Sequence, residues 1–157
     1  MNNTTINKGG IFLYNVGTNQ FLILLSRGAT HNWSIPKGVH EASDKDFLHT
    51  AVRELWEETQ ISPSNLYVEK THDLGFIEYG QNRKYRLFAF LYIINQKVNP
   101  LVFLCHENSK FKWVSLSEAK KFIFKNQFKY LNKIRWAIFK YKIKRFFKNI
   151  DVFLTGQ

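Results

Sequence analysis

Cysteine is almost absent from this sequence, in which Cys105 is the only one. A single thiol cannot close a disulfide within the chain and cannot supply the thiolates of a cysteine-based zinc site. No apolar run approaches the roughly 20 residues that a membrane-spanning helix needs. Residues 1–8 are polar and have no signal-peptide core. We therefore expect a cytoplasmic protein with no transmembrane segment.

Acidic residues are missing from one long segment. Between Lys120 and Lys148 the sequence has 11 lysines and arginines and no aspartate or glutamate. Basic and acidic residues balance in the rest of the chain, so this segment accounts for the whole net charge of +11. Concentrated positive charge attracts polyanions without reading their sequence. On a helical projection one side carries Phe128, Phe139, Phe146 and Ile150, and we expect that side to pack on the body of the protein. Lys129, Lys133, Lys140, Lys144 and Lys148 lie mostly on another side. This lysine face indicates weak, nonspecific RNA binding, with docking on a membrane surface as an alternative.

The remaining composition is typical of a folded domain. Of 157 residues, 45% are hydrophobic and 22% are charged. Strand and helix patterns interleave along the chain, which predicts an α/β or α+β class. We expect one domain over residues 1–157, with its core at about 5–124 and a basic helical extension at about 125–157. The predicted strands are 9–16, 21–26, 67–79, 84–95 and 111–114, the predicted helices are 46–59, 117–124 and 128–150, and residues 28–38 are expected to be irregular.

Three glutamates share one face of the predicted helix 46–59, whose N-cap we expect to be Ser43 or Asp44. These glutamates are Glu54, Glu57 and Glu58, and they fall within roughly 100° of one another at the helical period. Carboxylates placed so closely repel each other, and a divalent cation removes that repulsion. Hard oxygen ligands suit Mg²⁺, with Mn²⁺ as an alternative. A solvated acidic helix face is the competing interpretation.

The segment around these glutamates resembles a family motif. Residues 38–61 read GVHEASDKDFLHTAVRELWEETQI. They are similar to the Nudix box, G-x5-E-x7-R-E-U-x-E-E-x-G-U, in which U is a bulky apolar residue. The resemblance implies the Nudix fold, a mixed β-sheet sandwiched between helices. It also implies a pyrophosphohydrolase, an enzyme that cuts phosphoanhydride bonds in nucleoside polyphosphates.

Two departures from the box are visible. The interval from Gly38 to Arg53 is one residue longer than the pattern, so Asp44 or Lys45 stands where the early glutamate belongs. Gln60 replaces the final glycine, which ends the helix in a left-handed conformation that costs other residues about 1–2 kcal/mol. Neither change removes the three glutamates, so we expect an active enzyme.

Motifs outside the box are similar to the asymmetrical diadenosine tetraphosphate hydrolases of this family. Trp33 to Gly38 match their W-x-x-P-K-G motif. Leu104 to Glu107, followed by Phe111 to Val114, match their L-x-H-E and aromatic-x-W-U segments. The resemblance therefore implies cleavage of diadenosine tetraphosphate to ATP and AMP. Trp33 and Trp113 are at least as well explained by packing as by ligand contact.

The resemblance also implies a role for each candidate site residue. Metal ligands would come from the Gly38 carbonyl and from Glu54, Glu57 and Glu58. One of these glutamates, or else Glu107, would accept the proton of the attacking water. Arg53 would hold Glu57 in place. The expected substrate-binding residues are Lys37, Tyr79, Arg83, Lys84, His106 and Phe111.

Other functions fit the same residues. The basic segment keeps open removal of pyrophosphate or a cap from the 5′ end of RNA. Diphosphoinositol phosphates and nucleoside triphosphates are further substrates. Gln60 and the longer box also leave open a nucleotide- or RNA-binding module with weak or lost activity.

Overall fold

Seven strands and three main helices make up the molecule, described by a computed structural model over residues 4–28, 32–123 and 125–155. Part of the predicted irregular segment, residues 29–31, and Phe124 of the predicted second helix lie outside the described residues. The strands are β1 (Ile6–Asn15), β2 (Gln20–Ser26), β3 (Trp33–Ser34), β4 (Lys37–Val39), β5 (Val68–Tyr79), β6 (Tyr85–Ile94) and β7 (Asn108–Val114), and the helices are α1 (Phe47–Thr59), α2 (Leu116–Phe122) and α3 (Phe128–Thr155).

The sheet is mixed and has helices on both faces. Its main order is β3-β2-β1-β6-β5, with β4 paired to β1 and β7 paired to β2. The β1–β6 pair is parallel, whereas β5–β6 is antiparallel. Alternate residues of β1 enter two hydrophobic clusters, one covered by α1 and the other by α2 and α3. This architecture confirms the predicted mixed sheet between helices.

The first hairpin opens after only two residue pairs. β1 and β2 pair at Tyr14 with Phe21 and at Asn15 with Gln20, and then they diverge. β3 pairs with β2, and β4 pairs with β1 opposite Lys8. The prediction of an entirely irregular segment at 28–38 was therefore wrong in part. The gap between the diverging strands β1 and β2 forms a cleft.

Helix α1 lies very close to β1. A Cβ atom added to Gly9 would come within 2.5 Å of the Phe47 carbonyl oxygen, so only glycine permits this approach. The N-cap is Asp46, which accepts a hydrogen bond from the His49 amide. The predicted caps Ser43 and Asp44 were wrong. Asp44 is buried and serves a different purpose, described below.

Helix α3 packs through a different face from the one predicted. We expected the side with Phe139 and Phe146 to lie against the body, but these side chains are 51% and 62% exposed. The buried residues come from the first three turns, and they are Tyr130, Leu131, Ile134 and Ile138. No helix in the described residues is long and apolar enough to cross a membrane.

Candidate active site

A cleft of about 710 Å³ lies where β1 and β2 diverge. Its walls come from both strands, from the 32–39 segment, from α1 and from the loop before β7. Eight predicted site residues line it, namely Lys37, Gly38, Arg53, Glu54, Glu57, Glu58, His106 and Glu107. Residues that lie far apart in the sequence, on β4, on α1 and on the loop before β7, are therefore brought together.

Arg53 connects the box helix to the segment before it. Its guanidinium donates to Asp44 through Nε and Nη2, each at 3.0 Å, and through Nη2 to the Val39 carbonyl at 2.9 Å. Its Nη1 donates to Glu54 at 2.9 Å and to Glu57 at 2.8 Å. The predicted bond to Glu57 is confirmed. Arg53 therefore fixes two of the three glutamates to a buried anchor.

Asp44 is a structural residue whose role as the buried partner of Arg53 was not predicted from the sequence. Its side chain is fully buried, and it also accepts a hydrogen bond from the Thr50 hydroxyl at 2.9 Å. The hydrogen bonds from Arg53 hold the pKa of Asp44 well below its usual range, despite the opposing effect of burial. Its position near the early glutamate of the box was the signal that could have indicated this pairing.

Glu54 lies directly against the backbone of Gly38. A Cβ atom at Gly38 would come within 1.9–2.3 Å of the Glu54 carboxylate atoms. Burial raises the pKa of Glu54 to about 7, opposed by Arg53 and supported by the negative charge of Glu58. Glycine is therefore required at position 38 for this carboxylate to approach the chain.

Glu58 joins the helix to the first residues of β4 and β7. Its carboxylate accepts the Lys37 amide hydrogen at 2.9 Å and an Asn108 side-chain hydrogen at 3.2 Å. Burial raises its pKa, and Lys37 and Asn108 oppose that rise. The amides of Phe103 and Cys105 also donate to the carbonyls of Thr59 and Glu58. These bonds hold the loop before β7 against the C-terminal end of α1.

His106 and Glu107 reach the cleft from that loop. Both are exposed, and the Glu107 carbonyl accepts a hydrogen bond from the Arg27 amide at 2.8 Å. The Glu107 side chain contributes negative charge that acts on the pKa values of Lys8 and Glu58. The backbone of this loop is therefore anchored on both sides while its two polar side chains face open space.

Lys8 is a cleft residue that the sequence motifs did not indicate. It lies on β1, and its ammonium is 4.9 Å from the centre of the Tyr85 ring. Burial and the nearby Lys37 lower its pKa, and Glu54 opposes this effect. Strand pairing with β4 brings Lys8 into the cleft. The sequence around Lys8 does not predict this strand pairing, so its place in the cleft is known only from the tertiary structure.

Four predicted substrate-binding residues lie outside the walls of the cleft. Tyr79 is half-buried and stacks on Tyr85 with ring centres 5.3 Å apart. Arg83 and Lys84 are exposed in the turn between β5 and β6, and Phe111 is 41% exposed on β7. Their contact with substrate stays a prediction. Trp33 packs edge-on against Phe122, as a residue anchoring the loop would.

The glutamate cluster fits a hard divalent cation. In the described part of the chain no three His, Cys, Asp or Glu side chains converge into a ready-made metal centre. Glu54, Glu57 and Glu58 nevertheless line one cleft, and burial disfavours the charged forms of two of them. An ion with few protein ligands, completed by water and substrate phosphate, matches such an incomplete set.

Residues 8–134 match the family described as the NUDIX domain, and the chain belongs to that family. The match begins at Lys8 and ends within α3, so it includes every residue that lines the cleft. Nudix hydrolases use divalent metal ions, and the family and its curated relatives together identify the chain as a pyrophosphohydrolase.

Two relatives of the same name and two solved structures are similar to this chain. The bis(5′-nucleosyl)-tetraphosphatase [asymmetrical] of Caenorhabditis elegans is 31% identical over 120 residues, covering 74% of this chain and 83% of the relative. The Mus musculus protein of the same name is 30% identical, covering 65% and 68%. A crystal structure of a C. elegans Ap4A hydrolase binary complex has a TM-score of 0.73 at 23% identity, covering 85% of this chain and 98% of that one. The MutT protein from Methanosarcina mazei Go1 has a TM-score of 0.67 at 19% identity, covering 87% and 97%. The two structures establish the fold.

Proposed function

We propose that this protein hydrolyses diadenosine tetraphosphate asymmetrically, giving ATP and AMP, with Mg²⁺ as its cofactor. One observation carries the proposal. The Trp33–Gly38 loop and the His106-Glu107 pair, which are similar to motifs of the asymmetrical hydrolases, line the same cleft as the box glutamates. The curated relatives of that name add support.

The cleft residues divide into two chemical groups. Glu54, Glu57, Glu58 and the Gly38 carbonyl would hold the cation, which supplies charge neutralisation at phosphate and makes an attacking water more acidic. Lys8 and Lys37 line the same cleft, Lys8 close enough to interact electrostatically with Glu54 and Lys37 with Glu58. Their ammonium groups would bind phosphate oxygens of the polyphosphate bridge.

The proton of the attacking water needs an acceptor among the carboxylates. Glu54 and Glu57 are both hydrogen-bonded to Arg53, and Glu58 accepts hydrogen bonds from the first residues of β4 and β7. Glu107 is exposed on the facing loop. A helix glutamate and Glu107 are therefore the two candidates for the base. The pH dependence of kcat in Glu107→Gln separates them, because loss of the base removes the acidic limb of the profile.

A parallel product analysis tests the substrate. Purified protein with Mg²⁺ is incubated with diadenosine tetraphosphate and, separately, with 5′-triphosphate RNA, and the products are resolved by chromatography. We expect equal amounts of ATP and AMP from the first substrate. Formation of two ADP molecules, or no reaction beside rapid release of pyrophosphate from RNA, contradicts the proposal. Omission of the metal, with chelator present, is the control.

RNA is the second candidate substrate, because a basic groove lies elsewhere on the molecule. This groove, of about 680 Å³, lies between β5 and α3. We call it the lysine groove, and its basic side chains are Lys70, Lys140, Lys144, Arg145 and Lys148. Weak, sequence-independent RNA binding there would support action on RNA 5′ ends. Cytoplasmic location remains part of either proposal.

A further inference from the structure

The outer face of α3 carries a row of exposed hydrophobic side chains, which we call the aromatic stripe. Three of its aromatic residues are each about 60% exposed. Aromatic side chains present roughly 150–250 Å² each, so the stripe leaves on the order of 400 Å² of apolar surface in water. The stripe consists of Trp136, Phe139, Ile143, Phe146 and Phe147. A patch of this size is in the range of the largest apolar patch on a typical monomer, which is often functional.

The stripe points directly away from the body of the protein. At about 100° per residue, its members lie within roughly 100° of one another on the helix. The buried residues Tyr130, Ile134 and Ile138 are centred roughly 180° away. Packing of α3 on the sheet therefore leaves the whole stripe available, and docking through it disturbs no contact of the core.

Positive charge flanks the stripe on both sides. Lys140 and Lys144 lie along one border, and Arg135 and Lys142 lie along the other. All four side chains are exposed, and Lys142 donates a hydrogen bond to Asn19. In the described residues the carboxylate that α3 meets is Glu69, which is 4.0 Å from Arg145. The charge beside the stripe is thus left for an external anion.

We infer that the aromatic stripe docks α3 in the plane of an anionic lipid surface. A helix with Trp and Phe on one face and Lys and Arg at its borders matches the chemistry of such a surface, where rings enter the acyl boundary and cations meet headgroup phosphates. Residues 136, 139, 143, 146 and 150 also have the 3-4 spacing of a coiled-coil seam. Pairing with a second copy, however, would bring like charges together at the seam borders, which disfavours that occupant.

Vesicle co-sedimentation of the full chain tests this inference. One set of vesicles is phosphatidylcholine alone, and the other contains about one third phosphatidylserine. We expect binding to the anionic vesicles at low salt and little binding to the neutral ones. A variant with Trp136→Ser, Phe139→Ser, Phe146→Ser and Phe147→Ser should bind at least about tenfold more weakly. Its hydrolysis of nucleotide should be unchanged, because the cleft contains no residue of α3.

A matched variant controls for general hydrophobicity. Val98 and Leu101 are 74% and 79% exposed and lie outside α3, so Val98→Ser with Leu101→Ser should bind vesicles as the wild type does. Brominated acyl chains should quench tryptophan emission in the wild type and lose that effect in Trp136→Phe.

Three results overturn the inference. The first is equal vesicle binding by the wild type and the stripe variant. The second is no binding of the wild type to anionic vesicles. The third is a wild-type dimer that forms with rising concentration and is lost in the stripe variant, while the wild type does not bind vesicles. Loss of RNA binding in the stripe variant, without vesicle binding by the wild type, assigns the stripe to nucleic acid instead.

Discussion

Glu57 and Glu58 are neighbours in the sequence but differ in their surroundings. The Glu57 side chain is 51% exposed and bonded to Arg53, whereas Glu58 is enclosed by Lys37 and Asn108. If both are metal ligands, replacing either carboxylate by an amide of the same size removes a charge without leaving a cavity. We predict that Glu57→Gln and Glu58→Gln each lower turnover by at least about a hundredfold at saturating Mg²⁺.

The matched control for these variants is Glu78→Gln. Glu78 is an exposed carboxylate on β5 that pairs with Arg86 at 2.6 Å and lies outside the cleft. Its turnover should equal that of the wild type, and circular dichroism should show that all three variants keep the fold. Near wild-type turnover in both cleft variants would refute the catalytic assignment.

Asp44 gives the box an acid-sensitive support. Its hydrogen bonds with Arg53 lower its pKa in the folded state, so it stabilises the fold at pH values above its ordinary pKa of about 4. That contribution is lost as pH falls below about 4 and through the lowered folded-state pKa. Asp44→Asn should reduce the free energy of unfolding by about 3 kcal/mol at pH 7, because Arg53 loses its buried partner.

Urea unfolding from pH 7 down to pH 3 measures this effect. The difference between wild type and Asp44→Asn should shrink toward the acid end of the series. Asp46→Asn is the control, because asparagine also caps helices well and this aspartate has no contact with Arg53. A difference between wild type and Asp44→Asn that does not change with pH would exclude the ionised carboxylate as the source of stability.

At the scale of the element, α1 ends under strain. Gln60 occupies the left-handed conformation with φ 56° and ψ 17°, as the missing box glycine predicted, and its amide donates to the Trp56 carbonyl. We predict that Gln60→Gly raises the free energy of unfolding by about 1 kcal/mol, because glycine adopts this conformation without steric cost. Gln60→Ala keeps the strain and should give no gain. Urea unfolding measures the free energy of unfolding of the wild type and both variants. Equal values for Gln60→Gly and the wild type would contradict the prediction.

The elements differ in how far the sequence could define them. The box helix has apolar residues at helical spacing, and β5 and β6 are long segments separated by a turn that begins at Gly80. The observed ends of all three agree with prediction to within one residue. β3 and β4 have two and three residues, too few for a pattern, and they exist only through pairing with β2 and β1. Strand pairing also explains why Lys8 and Asn108 were missed as cleft residues.

Helix α3 shows a second limit of periodicity. It has two apolar faces, one through Tyr130, Ile134 and Ile138 and another through Trp136, Phe139 and Ile143. A helical pattern indicates that a face is apolar, but it cannot indicate which of two such faces meets the body. Which face packs on the body depends on the shape of the surface between β5 and α2, and the sequence alone does not predict that shape.

In the whole molecule the cleft and the lysine groove lie toward opposite ends of the sheet. Lys8 of the cleft is beside Leu87 on β6, whereas Val68, at the groove end of β5, is beside Ile94. Seven residues of strand separate these positions, or about 23 Å. A compact dinucleotide can therefore occupy the cleft without touching the groove, while a longer polyanion could contact both.

The separation gives a whole-molecule prediction about RNA. The sequence indicated a face of five lysines, Lys129, Lys133, Lys140, Lys144 and Lys148, but Lys133 donates a hydrogen bond to the Leu74 carbonyl at 2.6 Å. Lys140, Lys144 and Lys148 line the groove, so we predict that changing these three to glutamine weakens single-stranded RNA binding about tenfold at low salt. The slope of log K against log salt should fall by about 2, since each phosphate contact contributes about 0.7. Diadenosine tetraphosphate turnover should barely change.

The control is a triple variant that removes the same charge outside the groove, namely Lys120→Gln, Lys121→Gln and Lys125→Gln. An equal loss of RNA binding in both triple variants would show that total charge, rather than the groove, attracts RNA, and no loss in either would end the RNA proposal for this helix.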